Sequence, residues 1–106
     1  MITELVLFDL PRGISRDEVV AGMKQTAPAW RANAELIRKN YLYDARANQA
    51  GGVYLWKTRA AAERGHDAAW RERLKKMYGS EPVIRYFETP LVVDNALQEL
   101  VEETPA

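Results

Sequence analysis

The chain is predicted to fold as one α+β domain, residues 1–106, whose elements follow the order β-α-β-β-α-β. Three observations support this prediction. Four short apolar segments have strand character, two longer segments carry apolar residues at helical spacing, and a short polar link joins the second and third strands. Strands in this order form an antiparallel four-stranded sheet with both helices on one face, which is the ferredoxin-like arrangement.

The first strand and the first helix are marked by apolar periodicity and by the residues at their ends. Ile2–Leu10 contains a nearly continuous apolar run and reads as a strand. A helix then begins at Ser15, which forms a capping-box pattern with Glu18. Because Pro28 disfavours helical geometry in the residue before it, this helix is expected to end or kink at that point.

A central hairpin is predicted from two strands joined by a polar loop. The second strand covers Leu36–Asp44, the loop covers Ala45–Gly52, and the third strand covers Val53–Lys57. The short connection favours antiparallel pairing of the two strands.

The second helix and the fourth strand complete the predicted sheet. Thr58 is placed to cap a helix that runs from Arg59 to about Tyr78, and Gly79 suits its C-terminal end. Val83–Glu88 then reads as the fourth strand.

The C-terminal segment is less regular. Pro90 interrupts the strand ladder, and the apolar residues 91–93 are expected to pair as an edge segment, across to a partner subunit. Asp94 or Asn95 is expected to cap a last helical turn that carries Leu97, Leu100 and Val101. The acidic tail through Glu103 is expected to fray.

Apolar residues fall on both faces of nearly every predicted strand. The helices cover one face only, and a bare apolar face of this size exceeds what monomeric proteins expose. We therefore expect two copies of the chain to pair face to face as a homodimer, in the form of a dimeric α/β barrel.

Composition excludes several classes of function. The formal net charge is zero, from 15 basic and 15 acidic residues, so the basic excess of a nucleic-acid binder is absent. The chain has no cysteine and one histidine, which leaves no recognisable metal-ligand spacing. No glycine-rich phosphate loop supports a flavin or nicotinamide cofactor, so no cofactor and no metal is expected. A signal peptide and a membrane-spanning segment are not recognised, and a cytoplasmic location without a membrane partner is expected.

Two stretches carry a resemblance to a known family. Gly51–Trp56 is followed by a helix beginning Lys57-Thr58-Arg59-Ala60-Ala61-Ala62, and Tyr78–Phe87 reads YGSEPVIRYF. In this the chain resembles the YdhR-type family of predicted monooxygenases, in the dimeric α/β-barrel superfamily with the antibiotic-biosynthesis monooxygenases. The resemblance extends to the order of strands and helices from about Leu5 to Asp94. It implies a homodimer with a pocket between sheet and helices in each subunit, and a cofactor-independent reaction. In that reaction a base removes a substrate proton and the carbanion reacts with O2.

His66 is the candidate base, because it is the only histidine and shares a helix face with Trp70. The alternative is a packed helix residue with a local hydrogen bond. Tyr54 or Tyr43 would then hydrogen-bond the enolate of the substrate.

Aromatic residues are the candidate ligand contacts. The set that would stack on a planar substrate comprises Tyr41, Trp56, Trp70 and Trp30. The alternative is that these rings fill the core or a dimer interface, which is the commoner use of aromatic residues in strands. Arg38, like Lys39 and Arg85, is a strand cation that could hold an anionic substrate or enolate. Otherwise these cations lie at strand ends or in interface salt bridges.

The sequence therefore predicts a cofactor-independent monooxygenase-like protein that binds a small aromatic or polyketide-like molecule. The alternative is a non-catalytic small-ligand-binding or stress-related homodimer, in which the aromatic residues serve packing.

Overall fold

A computed structural model describes residues 1–103 of the chain. The elements in chain order are β1 (Ile2–Asp9), α1 (Arg16–Arg31), β2 (Leu36–Asp44), β3 (Gln49–Trp56), α2 (Arg59–Gly65), α3 (Ala68–Tyr78), β4 (Val83–Glu88), β5 (Leu91–Asp94) and β6 (Glu99–Glu102).

The main sheet has four antiparallel strands in the order β2-β3-β1-β4, which confirms the predicted ferredoxin-like arrangement. In β1, one of the two central strands, Leu5 pairs with Val53 of β3 on one side and with Arg85 of β4 on the other. The helices cover one face of this sheet. The buried residues Val6, Tyr54 and Trp56 lie on that face at alternate strand positions.

The β2–β3 hairpin is tighter than the sequence predicts, because β3 begins at Gln49 and not at Val53. The Asp44 carboxylate accepts hydrogen bonds from the backbone N–H groups of Arg46 and Ala47, and the turn closes at Asn48, whose φ is 52°. Half of the predicted loop, residues 49–52, therefore belongs to the sheet.

The glycine at position 51 is required by a close approach of two backbones. A Cβ atom built at Gly51 would lie 1.8 Å from the carbonyl oxygen of Val6 on β1. Only glycine allows this contact, which explains one of the two glycines at the start of the family-like stretch.

Helix α1 continues through Pro28 to Arg31, so the helix does not end at Ala27. Ser15 caps the helix as predicted, accepting a hydrogen bond from the Glu18 N–H at 3.1 Å. Pro28 lies in the last turn, and its carbonyl still accepts a hydrogen bond from the N–H of Ala32 at 3.1 Å. Pro28 lacks its own N–H and so removes one bond of the hydrogen-bond ladder, but the turn after it still forms.

The single helix predicted from Arg59 to Tyr78 is wrong, because the structure divides it into α2 and α3. His66 leaves helical geometry with φ −122° and ψ 52°, and the Asp67 carboxylate accepts a hydrogen bond from the Trp70 N–H at 2.9 Å. Asp67 thus acts as a new N-cap, and short acidic side chains compete with helix continuation in this way.

The C-terminal residues form a strand where a helical turn is predicted. β6 pairs with β5 as a two-stranded hairpin, and the turn between them is closed by Asp94, which accepts a hydrogen bond from the Leu97 N–H. Glu103 is not frayed, since its N–H donates to the Pro90 carbonyl at 2.9 Å and its carboxylate contacts the N-terminal amine of Met1. Within residues 1–103, no helix is long and apolar enough to cross a membrane.

Candidate ligand-binding site

A cavity of about 480 Å³ lies between the sheet and the helices α1 and α3. Helix α1 contributes Val19, Met23, Thr26 and Trp30 to its walls. Helix α3 contributes Trp70, Arg73, Leu74 and Met77, and the sheet supplies a floor of Phe8, Lys39, Tyr41 and Tyr54. The size and the largely apolar, aromatic lining are those of a small-molecule site.

Lys39 is the most unusual residue of this lining. Its Nζ atom lies 3.7 Å from the centre of the Tyr41 ring, 4.5 Å from that of Trp30 and 4.6 Å from that of Tyr54. Burial lowers the pKa of Lys39 to about 7, although the negative charge of Glu4 acts in the opposite direction. A large fraction of this amine is therefore neutral near neutral pH, and it faces the cavity.

Gly52 makes the space that Lys39 and Tyr54 occupy. A Cβ atom at position 52 would lie 2.9 Å from the Cε1 atom of Tyr54 and 3.1 Å from the Cε atom of Lys39. The second glycine of the family-like stretch, Gly52, therefore leaves room for side chains of the cavity floor, whereas Gly51 allows β3 to approach β1 closely.

The Tyr41 hydroxyl is oriented by helix α1. The Thr26 hydroxyl donates to the Met23 carbonyl at 2.9 Å and lies 2.7 Å from the Tyr41 hydroxyl. Because the single Thr26 proton is used, Tyr41 must donate its own proton to Thr26. The Tyr41 oxygen can then still accept a hydrogen bond from a ligand. Burial raises the pKa of Tyr41, so this phenol stays protonated.

Tyr54 forms the floor beneath Trp30. The two rings meet edge-on with centres 5.2 Å apart, and the Tyr54 side chain is buried. Burial first, then the negative charge of Glu4 and the neighbouring Tyr41, raise the pKa of Tyr54 far above its usual value. Tyr54 is thus a permanent phenol and suits the role of hydrogen-bond donor rather than of base.

His66 lies behind the cavity wall. It is 2 % exposed and is not part of the lining, whereas its neighbours Gly65 and Trp70 are. Its ring is surrounded by aromatic rings, with Trp70 at 4.3 Å and Tyr54 at 4.6 Å between ring centres.

The polar partner of His66 is Glu4 on β1, which is fully buried. Oε1 of Glu4 accepts a hydrogen bond from the indole N–H of Trp56 at 2.8 Å. The same oxygen lies 2.7 Å from His66 Nδ1, an ion-pair distance at which the ring N–H is not aligned as in a regular hydrogen bond. Among residues 1–103 nothing hydrogen-bonds to Oε2 of Glu4 or to Nε2 of His66.

The structure brings together some of the sequence-predicted site residues and separates others. Four of them line the cavity: Trp30, Tyr41, Tyr54 and Trp70. Trp56 is 0 % exposed and lies beside Tyr54 but outside the cavity lining, where its indole N–H donates to Glu4. Tyr43 packs against Leu10, Val19 and Ala50, and does not line the cavity.

Arg38 is outside the cavity as well. It is an exposed residue and pairs with Asp94 at 3.1 Å, so it joins β2 to the C-terminal hairpin. Its neighbour Lys39 points to the opposite face of the strand and into the cavity, as alternation requires. Among the strand cations, the structure thus singles out Lys39.

Glu4 is the residue of this region that the sequence did not reveal. Its signal is a carboxylate on the apolar face of β1, between Ile2 and Val6. A buried carboxylate needs partners, and these come from distant parts of the chain, at positions 56 and 66.

The fold is a ferredoxin-like α+β arrangement with an aromatic cavity between sheet and helices, and solved structures share this fold. Similar solved structures include a putative antibiotic biosynthesis monooxygenase from Deinococcus radiodurans. It has a TM-score of 0.63 and 13 % identity over 89 % of this chain and 97 % of that chain. SnoaB, a cofactor-independent oxygenase from Streptomyces nogalater, has a TM-score of 0.61 and 14 % identity over 83 % of this chain and 91 % of that chain. Rv0793 from Mycobacterium tuberculosis has the same TM-score and identity, over 84 % and 95 %.

The sequence profile of the family described as "Putative mono-oxygenase ydhR" matches residues 5–93. The chain belongs to this family, which confirms the resemblance inferred from the sequence. A search of curated proteins gives no match.

Proposed function

We propose that this protein is a cofactor-independent monooxygenase that binds a small aromatic or polyketide-like molecule in the cavity between sheet and helices. Membership of a mono-oxygenase family supports the general class of activity. The observation that carries the proposal is the 480 Å³ aromatic cavity with a buried amine, Lys39, in its floor.

The cavity residues divide into those that hold a planar ring and those that contact its oxygens. Trp30 and Trp70 stand on opposite helices and provide apolar walls for the ring. Tyr54 donates a hydrogen bond to a substrate oxygen, and Tyr41 accepts one, because its proton is donated to Thr26.

We assign proton removal to Lys39 rather than to His66, because Lys39 lines the cavity. Its neutral amine takes the acidic proton of a phenol or enol, and the resulting anion carries carbanion character. The carbanion transfers electrons to O2 and forms a C–O bond, and the resulting peroxide anion takes back the proton from Lys39 to become a hydroperoxide. The hydroperoxide then loses water, so that a methylene becomes a carbonyl at the expense of one O2 and no external reductant.

His66 and Glu4 support the site from behind. Their contact ties β1 to the junction between α2 and α3, next to Tyr54 and Trp70. In this proposal the pair positions the cavity wall and does not touch substrate.

We also infer that a second copy of the chain covers the sheet face opposite the helices, as the sequence predicts. That face carries apolar residues, with Val83 66 % and Phe87 41 % exposed. The C-terminal hairpin adds exposed apolar side chains at Leu91, Val93, Leu97 and Leu100. Face-to-face pairing removes this surface from water. A cytoplasmic location also stays a prediction.

Oxygen uptake tests the proposed reaction. The purified protein, without added metal or cofactor, is mixed with anthrone-type phenols in an oxygen-electrode cell. We expect one O2 consumed per carbonyl formed, and a loss of turnover of roughly a hundredfold to ten-thousandfold in Lys39→Met. Lys57→Met, at an exposed lysine outside the cavity, is the matched control and should keep full turnover.

The alternative function gives a different result. If such compounds bind in the cavity but none of them consumes oxygen, the protein is a ligand-binding dimer and the monooxygenase proposal is wrong.

A further inference from the structure

The charged side chains that line the cavity are all basic. Its lining contains two basic side chains, Lys39 in the floor and Arg73 on α3, and no aspartate or glutamate. The ion pairs found within residues 1–103 involve neither of them. Lys39 in its charged form is therefore a desolvated cation without a counter-ion inside the cavity, which is an unfavourable state.

The groups that face Lys39 from the elements packed around it do not supply this counter-ion. Tyr41 on its own strand and Tyr54 on β3 are phenols, and α1 presents the Trp30 ring and the uncharged side chains of Gln25 and Thr26 to the cavity. Glu4 on β1 is the one acidic neighbour that affects Lys39. Its carboxylate lies behind the floor, where Trp56 and His66 contact it.

We propose that the cavity selects planar aromatic acids in their ionised form, with the carboxylate or phenolate at Lys39 and the ring between Trp30 and Trp70, and that Lys39 is protonated in the complex. This inference rests on the proposed function, since it takes the cavity to be the ligand site, and it names the charge class of the ligand.

The physical basis is that the ligand brings the missing negative charge. An anion within about 4–6 Å of an amine stabilises its protonated form, and the effect is large where water is excluded. The three ring faces around Nζ also favour the cation. Because burial lowers the pKa of Lys39 to about 7, roughly nine-tenths of the amine is neutral at pH 8 before binding. Binding of a carboxylate must then take up a proton from solution. A phenol instead delivers its own proton to Lys39, which gives the same complex without uptake.

Calorimetry with a matched pair of ligands tests the inference. The intact protein is titrated at pH 8 with 2-naphthoate and with its neutral analogue 2-naphthalenemethanol. Each titration is run in phosphate and in Tris, whose ionisation enthalpies differ. We expect 2-naphthoate to bind at least tenfold more tightly and to take up about 0.5–1 proton per site. The alcohol should bind without proton uptake. At pH 6, where Lys39 is already protonated, the uptake for 2-naphthoate should fall toward zero.

Two substitutions separate the effect of the positive charge at position 39 from the uptake of a proton on ligand binding. Lys39→Met should lose both the preference for the anion and the proton uptake. Lys39→Arg should keep the preference and lose the uptake, because a guanidinium is always protonated. If Lys39→Met does not fold, Lys39→Arg still tests the linkage. Lys57→Met should behave as the unmodified protein.

The experiment distinguishes failure of the anion proposal from failure of the proposed function. Equal affinity for the two ligands, with no proton uptake, overturns the anion proposal while the cavity remains a ligand site. Proton uptake that persists in Lys39→Arg also overturns it, since another group would then be the acceptor. If neither ligand binds, nor the phenols of the oxygen-uptake test, the cavity is not the ligand site and the proposed function fails as well.

Discussion

The Nδ1 atom of His66 lies 2.7 Å from Oε1 of Glu4, and both side chains are completely shielded from solvent. The same carboxylate oxygen accepts the indole N–H of Trp56. This contact joins the first strand to the break between α2 and α3, where the His66 ring packs between Tyr54 of the cavity floor and Trp70 of its wall. The single histidine thus has a structural setting, with polar contacts that belong to the core.

Replacing His66 should mainly reduce stability. In His66→Ala the Glu4 carboxylate stays buried without the imidazole beside it, and breaking a buried pair in this way typically costs about 3–5 kcal/mol. Urea unfolding followed by circular dichroism measures the free energy of unfolding. The control is Glu63→Ala, which removes an exposed pair with Arg59 and should change stability by less than about 1 kcal/mol.

The double variant Glu4→Leu/His66→Leu should recover much of the lost stability, because two apolar side chains leave no unpaired charge. A His66→Ala protein as stable as Glu63→Ala would contradict the structural role of the pair.

Lys39 should make stability depend on pH. Its pKa is about 7 in the folded protein and near 10.5 when the chain is unfolded, so between these values the unfolded state binds more protons. Stability therefore rises with pH across this window, and the cost of the buried charge is fully present below about pH 7. Lys39→Met should remove this part of the pH dependence and raise stability at pH 6 by on the order of 1–3 kcal/mol. Thermal unfolding of the unmodified protein and of Lys39→Met between pH 6 and pH 10 measures this pH dependence of stability, with Lys57→Met as control. An unchanged slope in Lys39→Met would contradict a shifted pKa.

Gly52→Ala should deform the cavity floor. Its Cβ would lie 2.9 Å from a buried Tyr54 ring atom, so the ring or the strand must move, which costs about 1–3 kcal/mol. Lys39 and Tyr54 would be displaced together, so we expect affinity for 2-naphthoate to fall along with stability. Asn40→Ala, at an exposed position of β2, is the control, with a change within about 0.5 kcal/mol. Unaltered ligand affinity in Gly52→Ala would show that this glycine does not shape the site.

The C-terminal hairpin should contribute to dimerisation. Val93 and Leu100 are paired across β5 and β6, and each is 67 % exposed in the single chain. We expect Val93→Lys/Leu100→Lys, or truncation after Thr89, to shift the protein from dimer toward monomer in sedimentation velocity at micromolar concentration, because charges are costly in an apolar interface. Glu72→Lys on the exposed side of α3 should leave the dimer intact. A stable monomer of the unmodified chain, or variants that dimerise equally well, would place the interface elsewhere or remove it.

The differences between sequence and structure have local causes. The helix predicted across His66 has suitable apolar spacing throughout, but Asp67 is placed to cap a new helix, and the chain turns inward there. At the C-terminus, Leu97, Leu100 and Val101 fit a helical turn as well as they fit a strand. Pairing with β5 decides between the two, and such non-local pairing is not visible in a short apolar run.

The sequence by itself determined the four strands of the main sheet, their ferredoxin-like arrangement and the family. Helix caps, glycines and apolar alternation are local patterns that can be recognised in the sequence without the tertiary structure. Alternation also showed that Tyr54 and Trp56 share a strand face, but not which face the helices cover. Only the tertiary structure decided that Lys39 lies in the cavity while Arg38 and His66 do not, because burial and ionisation depend on what packs against a side chain. Lys39 is a half-buried, partly neutral amine because α1 and β3 enclose it with Trp30 and Tyr54, which belong to other elements of the fold.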